Sequence, residues 1–163
     1  MSHILCIYCT RTGHTENLMQ TISRKLGAEL VEITDGKDRS GFWGYVSAAV
    51  AGLRKNPPAI REVQTAKPLE EYDQVIVGMP IWSENTCPIA RGFLQQYGSR
   101  IRGDVSYVVT HASDRPYDEA IARLDDYLGK SHRLHLSVSS KKDDLSREID
   151  GFTAKIEDRK ESR

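Results

Sequence analysis

Short apolar runs alternate with longer stretches whose apolar residues recur every three or four positions. Ile4 to Tyr8 is apolar throughout, which predicts a strand buried on both faces. Leu18, Ile22 and Leu26 then lie one helical turn apart, and Gly27 supplies a stop. Glu29 to Ile33 alternates polar and apolar, which predicts a second strand nearer an edge. Asp73 to Gly78 is a third strand, introduced by Tyr72 and ended by Pro80. Ile89, Phe93 and Tyr97 form the next helical stripe. Val105 to Thr110 reads as a fourth strand, and Ile121, Leu124 and Leu128 as a helix closed by Gly129. Arg133 to Val138 alternates as a fifth strand, and Leu145, Ile149, Phe152 and Ile156 mark a last helix.

Strand followed by helix, repeated along the chain, implies a parallel sheet with helices on both faces. Right-handed crossovers then restrict its topology. The stretch from Ser40 to Arg54 needs separate treatment. Phe42, Trp43, Tyr45, Val46, Val50 and Leu53 cover more than one helical face, and Asn56-Pro57-Pro58 ends the segment. An apolar helix over Phe42–Leu53 is expected either to pack into the core or to wall a cavity. Residues 1–163 read as one domain, with a charged tail from about 157.

Composition narrows the function. Hydrophobic residues make up 39% of the 163 positions and charged residues 28%, an ordinary globular balance. Basic and acidic residues number 23 each, so the net charge is zero. Nothing in that balance points to a polyphosphate-binding surface, so nucleic acid is not expected as a partner. No apolar run spans a bilayer, and the N-terminal residues lack the features of a signal peptide, so no membrane association and a cytoplasmic location are expected. The three cysteines, Cys6, Cys9 and Cys87, are an odd count and argue against a disulfide framework. Cys6 and Cys9 have C-x-x-C spacing, but on one strand they point to opposite faces.

The turn after the first strand carries the chemistry. Thr10-Arg11-Thr12-Gly13-His14-Thr15 leads directly into the first helix. A helix N-terminus offers unpaired N–H groups and partial positive charge to an anion. Threonine hydroxyls add donors, Gly13 lets the backbone bend around a phosphate, and Arg11 supplies charge. An ordinary βα turn with a threonine cap has much the same composition, so this loop alone says only that an anion is welcome.

Two further loops change that. Open parallel sheets bind ligands at the carboxyl ends of their strands, where strand order reverses. Pro80-Ile81-Trp82-Ser83-Glu84-Asn85 follows the third strand, and Thr110-His111-Ala112-Ser113-Asp114 follows the fourth. Trp82 offers a flat face to a heterocycle. His111 and Asp114 are candidates for protonating a substrate or shaping the ligand's rim. His132 and His135 are expected on opposite faces of the fifth strand, so no metal site is expected.

At this point the sequence resembles the flavodoxin family. Ile4 through Glu16 look like that family's first strand and T/S-x-T-G-x-T phosphate loop. Val75 through Trp82 look like its G-x-P-x-W loop beside the flavin. The resemblance implies a three-layer αβα fold with a five-stranded parallel sheet in order 2-1-3-4-5. It also implies non-covalent FMN and electron transfer. The matched positions are Thr10, Arg11, Thr12, Gly13, His14 and Thr15 for the phosphate, and Pro80, Ile81, Trp82, Ser83, Glu84 and Asn85 for the ring. Thr110, His111, Ala112, Ser113 and Asp114 match in position. Short carriers of this family are strongly acidic, whereas this chain is neutral. With the apolar Phe42–Leu53 stretch, it looks like the variant flavodoxin domains that feed a reductase or bind substrate over the flavin. Two readings follow: electron donation to a redox partner protein, or direct NAD(P)H-dependent reduction of a quinone or other conjugated small molecule.

Rival families lack their residues. A low-molecular-weight phosphatase needs Cys, five residues and Arg, but Cys6 is too near Arg11 and Cys9 has Thr15 at that spacing. A response regulator needs acidic residues at Tyr8-Cys9-Thr10. A P-loop NTPase needs Lys where His14 stands.

Overall fold

The computed structural model describes residues 2–37, 46–47, 50 and 57–161. Most of the apolar Phe42–Leu53 stretch lies outside the described residues. The elements are β1 (Ile4–Tyr8), α1 (His14–Leu26), β2 (Glu29–Glu32), β3 (Gln74–Trp82), β4 (Asn85–Thr86), α2 (Pro88–Tyr97), β5 (Asp104–His111), α3 (Asp118–Ala122), α4 (Leu124–Leu128), β6 (His135–Ser139) and α5 (Ser146–Glu161).

The main sheet runs β2-β1-β3-β5-β6, and every pairing along that path is parallel. This is the expected 2-1-3-4-5 order with one short strand, β4, inserted beside β3. The continuous apolar runs have a direct cause. On β1, Ile4, Cys6 and Tyr8 enter the cluster formed with Leu18, Met19 and Ile22 of α1 and Phe152 and Ile156 of α5. Leu5 and Ile7 alternate with them and join the opposite cluster, with Phe93 and Leu94 of α2 and Leu124 of α4. A strand covered on both faces is apolar at every position. Gly27 and Gly129 end α1 and α4 in the left-handed conformation, as expected of C-terminal glycines.

Several boundaries differ from the sequence reading. Pro80 does not stop β3. The strand continues to Trp82, with Pro80 in register with Thr110 and its carbonyl accepting the Cys87 amide at 3.1 Å. A proline is tolerated here because β3 is leaving the parallel ladder, and Ile81 and Trp82 pair instead with Thr86 and Asn85. The helix after β5 is broken at Arg123 into α3 and α4. The last strand is His135–Ser139. His132 precedes it in irregular backbone, so strand alternation does not govern the two imidazoles. They are not on opposite faces: His132 Nε2 lies 2.9 Å from His135 Nδ1. Among the described residues, no group of three or more His, Cys, Asp and Glu side chains is arranged to hold a metal ion.

Candidate functional site

The carboxyl ends of β1, β3 and β5 surround a cavity of about 240 Å³. Its wall contains Thr10, Arg11, Thr12, His14 and Thr15 from the first loop, Pro80, Ile81 and Trp82 from the second, and Thr110, His111 and Ala112 from the third. Three loops far apart in sequence therefore meet in one place. Gly13, Ser83, Glu84, Asn85, Ser113 and Asp114 do not line this cavity. Ser140, just beyond β6, lines it and was not expected from the sequence. Only its position after a fifth parallel strand pointed there.

The first wall is built by local backbone geometry. Gly13 occupies the N-cap of α1 at φ +93°, and no side chain caps that helix end. Its amide is held by Thr10 Oγ1 at 3.0 Å, which sets the bend of the loop. The first bond of the helix ladder is Asn17 N to Gly13 O, so the amides of His14, Thr15 and Glu16 precede the ladder. Thr15 is buried and its hydroxyl shares a hydrogen bond of 2.8 Å with Thr110, tying the first loop to the third.

The second wall is a hairpin. Ser83 and Glu84 join β3 to β4, both at positive φ (49° and 65°). Two left-handed central residues match the strand twist of a two-residue hairpin, a position that favours Asn and Gly. Here a serine and a glutamate carry the strain. Asn85 Oδ1 accepts the Thr86 amide, so that side chain serves the turn. Trp82 is only 5% exposed and belongs to the hydrophobic cluster, so its main surface packs into the core while part of it meets the cavity.

The third wall is cross-linked by side chains. Tyr117 has φ 59°, the third left-handed non-glycine residue among those described. Its hydroxyl accepts from Ser113 Oγ at 3.0 Å, and the Arg115 guanidinium lies 5.2 Å from its ring centre. Arg115 also pairs with Glu84, so the hairpin and the loop after β5 are joined outside the cavity. His111, 9% exposed, directs Nδ1 to the Ser113 carbonyl and Nε2 to Ser137 Oγ. Both its nitrogens are engaged by the protein, so this histidine does not present a free proton to a substrate.

Cys9 and Cys87 lie beneath these walls, both buried, with sulfurs 3.1 Å apart. The C-x-x-C spacing had directed attention to Cys6 instead. Cys6 enters the opposite cluster, as strand alternation requires. Burial pushes the Cys6 thiol up to about 12 and the Cys9 thiol well above its ordinary value. Neither is a ready nucleophile.

This arrangement was compared with known proteins. No family model matches the chain. Solved structures do. A protein of Bacteroides uniformis ATCC 8492, provisionally described as a flavoprotein, superposes with a TM-score of 0.74 at 18% identity, covering 94% of this chain and 98% of that one. The fold is flavodoxin-like. A flavoprotein of Lactobacillus acidophilus NCFM, solved in complex with FMN, matches with a TM-score of 0.67 at 19% identity over 84% of this chain and 93% of that one. An NADH:FMN oxidoreductase in its apo form matches with a TM-score of 0.53 at 15% identity over 94% and 90%. The doubly wound order and the switch point between β1 and β3 agree with this fold type.

Proposed function

We propose that the chain binds FMN in this cavity and passes electrons from it to a redox partner protein. The observation that carries the reading is the meeting of the uncapped α1 N-terminus with Pro80, Ile81 and Trp82 in one hollow. The residues present fit the group. Gly13 has no heavy atom within 4 Å of the place a Cβ would occupy, and left-handed backbone there opens the loop. Threonine hydroxyls and first-turn amides form a donor set suited to a phosphate dianion. Arg11 adds charge on the same wall. At the other end, Ile81 and Trp82 offer apolar surface to a planar ring.

FMN, when bound, supplies the one- and two-electron chemistry. The protein's part is to hold and shade it. Thr10 shapes the loop through the Gly13 amide, Thr15 and Thr110 join the phosphate end to the ring end, and the Glu84–Arg115 pair joins the two ring-side loops.

The second reading is a reductase that takes NAD(P)H and acts on a quinone or another conjugated molecule. The similarity to an NADH:FMN oxidoreductase favours keeping it. One experiment addresses both. Protein purified in the dark is expected to be yellow and to release FMN on denaturation; colourless protein that cannot be reconstituted with FMN refutes the cofactor. Anaerobic mixing with NADH or NADPH then separates the roles. Slow or absent direct reduction supports the carrier, and rapid bleaching of the flavin supports the reductase.

A further inference from the structure

We propose that the site takes FAD as well as FMN, with the adenosine half of the dinucleotide lying in a second groove between α1 and α5; this rests on the flavin reading above. That groove has a volume of about 230 Å³ and adjoins the first cavity. His14, Thr110 and Ser140 line both hollows, and His14 is the first residue of α1, so the two meet at that helix's N-terminus. Ligand clefts commonly occupy about 300–1,000 Å³; each hollow alone falls short of that range, and joined they fall within it. A dinucleotide lays its pyrophosphate against a helix N-terminus, with one half on either side. The wall that is to hold the FMN phosphate is therefore also the doorway to the groove.

The lining suits a flat heterocycle and a sugar. Asn17, Leu18 and Thr21 follow His14 at helical spacing and put one face of α1 into the groove. Val138 on β6 and Ser140 just beyond it are two residues apart and share a face. Leu145 and Ile149 close the groove at the start of α5, where the Ile149 amide donates to the Leu145 carbonyl at 2.9 Å. Leu18, Val138, Leu145 and Ile149 belong to one apolar cluster, which gives a base a floor on which to shed water. On the rim, the Asn17 carboxamide carries a donor and an acceptor, the pair that matches N6 and N7 of adenine. Asp143 brings a carboxylate, which accepts from ribose hydroxyls. Lys142 is balanced by its ion pair with Glu148, so the rim offers no net positive charge to a further phosphate. That selects an unphosphorylated adenosine end.

Calorimetric titration of the apo-protein with FAD and with FMN tests this. Wild type is expected to bind both. Thr21→Trp places a bulky ring in the groove and outside the first cavity, and is expected to weaken FAD by about tenfold or more. Asp143→Ala, in an exposed loop, is expected to weaken FAD about threefold through the lost ribose contact. FMN affinity is expected to stay within about twofold in both variants, because neither side chain lines the first cavity. Wild type that binds FMN and rejects FAD overturns this inference alone. So does FAD affinity that Thr21→Trp leaves unmoved. If Thr21→Trp weakens both flavins alike, Asp143→Ala decides: a loss confined to FAD supports the groove, and an equal loss or none overturns it. Wild type that binds neither flavin overturns the flavin reading itself.

Discussion

The two ends of the cavity are built by different means. At the end proposed for the phosphate, one glycine and a helix terminus shape the wall. The loop from Thr10 to Thr15 has a single left-handed residue, Gly13, where the conformation costs little. At the end proposed for the ring, the three left-handed non-glycine residues among those described, Ser83, Glu84 and Tyr117, lie in two loops joined by Glu84–Arg115. Backbone geometry preforms an anion site because amides point wherever the chain turns. A site for a broad aromatic ring needs walls from separate strands, and those walls must be held in place by contacts between side chains. Strain tolerated at the second end, and absent from the first, marks where folding free energy is given up for shape.

The largest test of this contrast is at the phosphate end. Thr12→Asp sets a carboxylate in the wall that is to receive the phosphate. At an effective dielectric of about 20, two charges a few ångströms apart repel by roughly 3 kcal/mol, so FMN affinity is expected to fall more than hundredfold. Flavin fluorescence titration measures this, and unchanged affinity would place the phosphate elsewhere.

A reciprocal pair of substitutions tests the strain. Gly13→Ala adds a Cβ with open space around it, so its cost is conformational, about 1–2 kcal/mol. Glu84→Gly removes a left-handed side chain and is expected to stabilise the apo-protein by about 1 kcal/mol, a rise of roughly 2–4 °C in Tm. Calorimetry of both variants should give shifts of opposite sign. If both fall, the hairpin is not strained.

Arg115→Ala breaks the link between the ring-side loops. Both partners are about two-thirds exposed, so the loss of stability is expected to stay under about 1 kcal/mol. Faster FMN release with little change in Tm, read by stopped flow, is the expected signature.

The smallest effect lies away from the cavity. The hydrogen bond from Arg100 holds Glu70 down to about 2, from an ordinary value near 4.5. A carboxylate depressed in the native state contributes stability above its unfolded value, and that contribution is lost as pH falls from about 4.5 through about 2. Glu70→Gln should flatten that limb of an acid titration slightly and leave FMN affinity unchanged. A loss of affinity would couple a site that this structure keeps separate.

The parallel sheet was legible because double burial leaves a plain trace. The runs Ile4–Tyr8, Val75–Gly78 and Val105–Val109 have no polar alternation to confuse them with surface strands, apart from Ser106 and Tyr107, both buried. Pro80 misled because a proline reads as a strand end, whereas here β3 changes partner at that point. His132 misled because strand alternation was extended to a residue that stands before the strand.

By itself, the order of residues along this chain determined the strand–helix alternation, the helix stops at Gly27 and Gly129, and the anion-ready turn from Thr10 to Thr15. Each depends on residues close in sequence, whose spacing and backbone freedom are written locally. Tertiary structure alone decided that Thr15 meets Thr110, that Glu84 meets Arg115, that Cys9 lies against Cys87, and that His111 meets Ser137. Those pairs come from different strands and loops, and a contact across a sheet depends on strand order and register, which no local pattern records.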